Sequence, residues 1–218
     1  MKTLRFCLLL SFAAAAGLAA PLSAQTTLGV RGGVSIADIS VDEVGESLDF
    51  DSRTGFVGGG FANFQLGETF FVQPELLYAQ KGAKQGFDSS IDATIELDYL
   101  SIPVLFGAAF GIGDGGVTPR VFAGPEVSFE LSCNVSGEAA GVSASVDCSE
   151  SELETKSVDF GLVFGAGVGI PVGSFEIVLD GRYDLGLTDI DDSDSEFDTS
   201  AKNRAWQFTA GVGFPVGG

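Results

Sequence analysis

The chain has 218 residues, 11 Lys and Arg against 30 Asp and Glu, and no histidine, for a formal net charge of −19. So acidic a protein repels nucleic-acid backbones and anionic surfaces, which excludes DNA and RNA binding. The missing histidine removes the commonest general base and metal ligand together.

Lys2 and Arg5 precede an apolar run, 6–20, and Pro21 then leads to small residues, which reads as a secretory signal cleaved after Ala24. Residues 1–24 are therefore the leader and 25–218 a single exported domain, with Cys7 too early to be a lipoprotein cysteine. No later stretch is long and apolar enough for a membrane helix, although 45% of the chain is hydrophobic and 31 residues are glycine.

The mature chain reads as strands, because apolar residues recur with period two and successive strand side chains point to opposite faces. The first strand, 27–37, sets Leu28, Val30, Val34 and Ile36 against Gly29, Arg31, Gly33 and Ser35. An acidic segment, 38–53, follows. The second strand, 54–65, is ambiguous in facing at Gly58, Gly59 and Gly60, with Phe56, Ala62 and Phe64 on its apolar side. The third, 69–84, carries Phe70, Val72, Pro74, Leu76 and Tyr78 on one face and Phe71, Gln73, Glu75, Leu77, Ala79 and Lys81 on the other. A polar loop is expected over 82–94.

The fourth strand, 95–110, opposes Leu100, Ile102, Val104 and Phe106 to Tyr99, Ser101, Pro103, Leu105 and Gly107, and a glycine-rich turn, 111–116, closes it. The fifth, 118–131, sets Val121, Ala123, Val127, Phe129 and Leu131 against Arg120, Phe122, Gly124, Glu126, Ser128 and Glu130. The longest loop, 132–155, contains Cys133 and Cys148. The sixth strand, 156–170, puts Val158, Phe160, Leu162, Phe164 and Val168 opposite Asp159, Gly161, Val163, Gly165, Gly167 and Gly169. After a turn at 171–174, the seventh, 175–188, opposes Ile177, Leu179, Tyr183 and Leu185 to Glu176, Asp180, Arg182 and Asp184. An acidic loop, 189–203, precedes the eighth, 204–214, with Trp206, Phe208, Val212 and Phe214 on its apolar side.

Two regularities select a membrane. Long acidic connections alternate with turns of a few residues, as external loops alternate with periplasmic turns in outer-membrane barrels. One face is bulky and apolar, while the other holds glycine, small residues and most strand charges. A soluble carrier barrel would instead fill its cavity with the large residues and charge its outside. The expected fold is all-β, an eight-stranded antiparallel up-and-down transmembrane β-barrel in the bacterial outer membrane. Phe64, Phe70, Phe110, Phe175 and Phe214 would form an aromatic girdle at the turn end, and Tyr78, Phe129, Phe160, Tyr183 and Trp206 one nearer the loops.

The runs Gln73-Pro74-Glu75-Leu76-Leu77-Tyr78-Ala79-Gln80-Lys81-Gly82 and Tyr99-Leu100-Ser101-Ile102-Pro103-Val104-Leu105 resemble the PorT-like family of outer-membrane β-barrels. So do Ala123-Gly124-Pro125, the segment from Asp159-Phe160-Gly161 to Gly169, and Arg182-Tyr183 with Gly186-Leu187-Thr188. The resemblance implies an eight-stranded barrel in a Gram-negative outer membrane and little about activity. The chain departs from the family at Ser101, where an acid is common, and at Gly107, where a base is common, so an altered lumen network is implied.

The lumen face collects Arg31, Glu75, Lys81, Arg120, Glu126, Asp159, Asp180, Arg182 and Asp184. An eight-stranded barrel has room only for side chains, so these residues read as a plug of ion pairs, with Arg182 expected at its centre. Paired carboxylates can do acid–base chemistry, but no histidine or serine–base pair accompanies them. No enzyme activity, cofactor or metal is expected. The acidic run 189–196 lacks the sixth-position glycine and, at Ser200, the twelfth-position acid of a calcium loop. Cys133 and Cys148, both exported and in one loop, are expected to form a disulfide. The expected role is a monomeric structural or surface-interaction barrel in outer-membrane lipid, with a protein or cation partner at the acidic loops. An accessory or adhesion role in a secretion or surface machinery, a passive small-solute channel and a soluble periplasmic carrier are the alternatives.

Overall fold

In sequence order the alternating segments pair edge to edge, and the last returns to the first. The computed structural model describes residues 25–43, 46–49, 51–88, 91–111, 116–139, 142–150, 155–190 and 200–216. Residues 1–24, expected as a leader, the centre of the 111–116 turn and most of the expected 189–203 loop lie outside them. The strands are β1 (Thr26–Glu43), β2 (Glu46–Asp49), β3 (Asp51–Leu66), β4 (Phe70–Asp88), β5 (Ile91–Ala109), β6 (Thr118–Ala139), β7 (Val142–Asp147), β8 (Val158–Val172), β9 (Phe175–Gly186) and β10 (Ser200–Val216). β1 pairs with β3 on one side and with β10 on the other, so the antiparallel sheet closes into an eight-stranded barrel. β2 and β7 are short return strands on the long ends of β1 and β6.

The apolar face points outward. Leu28, Val30, Phe56, Phe70, Leu76, Phe106, Leu162, Trp206 and Phe208 are all exposed, Phe70 at 63%. Phe56 and Phe64 share that face, which resolves the second strand. Such a surface is stable only where lipid covers it. Phe175 and Phe214 meet at 6.2 Å at the turn end, and Tyr183 and Trp206 at 4.9 Å toward the loops.

Three expected loops are corrected. The 82–94 segment is a hairpin, because β4 runs to Asp88 and β5 starts at Ile91, in register through Gln85 and Ala93. Much of 38–53 is taken up by the ends of β1 and β3 with β2, and much of 132–155 by β6 and β7. Their polarity marks water outside the bilayer, not irregular backbone. A bilayer crossing needs about 9–11 strand residues, so the 22 of β6 carry the barrel well beyond the membrane. On the other rim the turns are tight, and Gly67 and Gly173 take the left-handed φ values (73° and 61°) that side chains resist.

Candidate functional site: the lumen and its two ends

Glycines on the inner face make the room that charged side chains occupy. A Cβ on Gly167 would stand 2.0 Å from Asp180 Oδ1, one on Gly169 2.0 Å from Glu176 Oε1, and one on Gly165 2.9 Å from the Cβ of Arg182. β8 therefore presents bare backbone against which the acids and base of β9 lie. This is why the sixth predicted strand alternates glycine with bulky residues.

The lumen is stratified. Nearest the periplasmic turns, Phe61, Phe71 and Phe122 point inward and are buried. Above them lies a cluster of Arg31, Glu75, Arg120, Asp180 and Arg182, each with at least 94% of its surface covered. Asp180 is its hub. Arg120 grips it with Nε (3.0 Å) and Nη2 (2.8 Å), Arg31 Nη1 donates to it at 2.8 Å, and Arg182 Nη2 stands 3.6 Å away. Arg182 donates to Glu75 through Nη1 at 2.7 Å, and Gln73 Nε2 donates to the same carboxylate at 2.6 Å. Arg31 packs on the Phe61 ring at 4.6 Å, and Arg120 and Arg182 each lie 5.5 Å from that of Phe122, contacts that favour a cation sheltered from water.

A second cluster lies farther along β4, β6 and β9. Lys81 donates to Asp184 and, at 3.1 Å, to Glu126, whose Oε1 also accepts from Ser128 at 2.9 Å. Ser101 and Ser128 share a hydrogen bond of 2.7 Å, so a hydroxyl pair stands at the family departure noted above. At Gly107 a Cβ would fall 2.3 Å from the ring of Phe71, so that ring occupies the space a side chain would need. Asp159 is buried apart from both clusters, accepting from Thr188 Oγ1 (2.6 Å) and Asn203 Nδ2 (3.1 Å). The same Asn203 donates to the buried Tyr99 hydroxyl at 3.1 Å.

Arg182 is thus one of three guanidiniums and not the centre. It makes no ion pair with Asp184 or Glu126 among the described residues, because Lys81 holds that pair. The parity of β-strand facing placed every charged member. It also put Gln73, Phe71, Tyr99 and Phe122 on the inner face, but Asn203 falls in the expected 189–203 loop, whereas β10 begins at Ser200.

The extracellular end is closed by an apolar layer of Ile39, Leu97, Tyr99, Ile190 and the Cys133–Cys148 disulfide. Cys133 belongs to β6 and faces inward at 6% exposure, and Cys148 follows β7. The bridge therefore caps the lumen and does not merely tie an external loop. Ile190 is drawn in by its backbone, which donates to Ala201 and accepts from Lys156. The periplasmic end instead opens into a vestibule of about 750 Å³, with Asn63, Phe61, Phe71, Arg120 and Glu176 in its wall. Among the described residues no group of three or more His, Cys, Asp or Glu is placed to hold a metal.

Residues 23–192 match the family described as outer membrane protein beta-barrel domain. No curated protein sequence matches the chain. Among solved structures, Neisserial surface protein A is similar at a TM-score of 0.46 and 14% identity, over 88% of this chain and 97% of that one. OprG from Pseudomonas aeruginosa gives 0.44 and 14%, over 89% and 98%. Ail, the attachment invasion locus protein of Yersinia pestis, gives 0.40 and 20%, over 87% and 99%.

Proposed function

This chain belongs to the outer membrane protein beta-barrel domain family, and we propose that it serves in the bacterial outer membrane as a closed, non-conducting barrel that works through its outer surface. The observation that carries the reading is the double closure of the lumen, by buried ion clusters and by the apolar cap with its disulfide. A path for solute would need water along the charged lining, and most of these charges instead pair with one another in dry clusters. The parts left to act are the acidic extracellular connections, so the role is structural support or contact with a protein or cation partner at the cell surface. The PorT-like motifs support membership of that narrower group, with residues 1–24 as its leader and the barrel acting as a monomer. Without histidine, and with the acids of both buried clusters engaged by a base or hydroxyl, the reading assigns no catalysis.

The test is planar-bilayer recording on the purified barrel, after a gel has established that its mobility changes on heating. The expected result is no steady conductance. Stable open-channel currents from wild-type protein would overturn the reading in favour of a small-solute channel.

A further inference from the structure

The cluster at the base of the plug contains an arginine edge with nothing to hold. In a guanidinium, Nε and one Nη lie side by side and together grip two oxygens of one oxyanion. Arg120 uses that edge on Asp180. Arg31, buried against the same aspartate, spends only Nη1 on its carboxylates, and its Nε and Nη2 have no hydrogen-bond partner among the described residues. Arg182 Nε is likewise buried and, among the described residues, unpartnered. The carboxylates at hand are committed already: both oxygens of Asp180 accept from Arg120, and both oxygens of Glu75 accept from Arg182. Three guanidiniums thus face two carboxylates, with one positive charge and a paired donor edge left over.

One aromatic ring connects that arginine to the vestibule. Phe61 lies on Arg31 at 4.6 Å and also lines the periplasmic vestibule, as Arg120 does. The Phe61 ring rests over Gly29 and Gly213, which have no side chains to pin it. Glu176 stands in the vestibule wall, but it forms no ion pair with the three arginines among the described residues.

We propose that the Arg31 edge, backed by Arg182, is a binding site for a small oxyanion entering from the periplasm. Phosphate and short carboxylates both present the two oxygens it needs, and a spherical halide does not. The site is independent of whatever the extracellular loops contact and does not require an open lumen.

The test uses purified full-length barrel in uncharged detergent, with inorganic phosphate, acetate and chloride at matched ionic strength. Phosphate should raise the thermal unfolding midpoint saturably and broaden its own ³¹P resonance, and chloride should do neither. Displacement by acetate would extend the site to carboxylates, and failure to displace would restrict it to tetrahedral oxyanions. Arg31→Lys keeps the charge and loses the paired edge, so it should bind phosphate about tenfold more weakly or not at all while still folding. The proposal fails if phosphate and acetate act no differently from chloride, or if Arg31→Lys binds phosphate as tightly as wild type. If that variant does not fold, the ³¹P competition on wild type decides alone, and displacement of phosphate by chloride overturns the site.

Discussion

Asp180 holds Arg31 and Arg120 directly and stands near Arg182, so its removal strands more charge than any other single change in the lumen. Asp180→Ala should lose about 3–5 kcal/mol, the usual cost of breaking a buried pair by deleting one partner. Asp159→Asn should lose only about 1 kcal/mol, since Asp159 is held by the neutral Thr188 and Asn203. Urea unfolding midpoints in lipid vesicles measure both, and equal losses would show that Asp180 is not the hub. The glycines provide a second contrast at this scale. Gly167→Ala puts a methyl 2.4 Å from the Leu179 carbonyl as well as against Asp180, whereas at Gly60 the nearest atom is 3.6 Å away. Gly167→Ala should lower the yield of heat-modifiable barrel, and Gly60→Ala should leave it unchanged.

The long extracellular ends of β4, β5 and β6 were legible as polar stretches but not as strands. Polarity reports solvent, and backbone pairing depends on a neighbour that period-two reading does not see. The same limit hid the role of the disulfide, because the spacing of Cys133 and Cys148 allows a loop tie or a cap equally well. Its burial beside Leu97 and Tyr99 makes it a cap. Closing a loop of this length constrains the unfolded chain by about 3 kcal/mol in the entropy model. Cys148→Ser should therefore leave the barrel folded while the β6–β7 hairpin becomes open to protease. Limited proteolysis read by mass spectrometry should find new cuts near 140–150, and a digest identical to that of wild type would refute the cap.

For the whole molecule, the bilayer is part of the fold. Leu162 is 42% exposed on the outer face of β8 and can be satisfied only by hydrocarbon. Leu162→Arg should destabilise insertion by about 2–4 kcal/mol, the range for Arg near the midplane. Refolding into vesicles, followed by the heat-dependent gel shift, measures it. Refolding as efficient as that of wild type would mean this face does not meet lipid.

Alternation of side chains, the sign of the charge and the absence of histidine were enough to determine an outer-membrane barrel, its inner face and the members of its lumen clusters. Each of those follows from local periodicity or from composition, which a linear chain carries in full. Which acid meets which base was decided only by the closed barrel. Glu75 and Arg182 are 107 positions apart and Arg31 and Asp180 are 149, so their meeting depends on strand register around the whole circumference. Register also split the expected single plug into two clusters, moved its hub from Arg182 to Asp180, and left one edge of Arg31 facing no acid. Those outcomes rest on the pairing of strands remote in sequence, and no pattern within one strand encodes them.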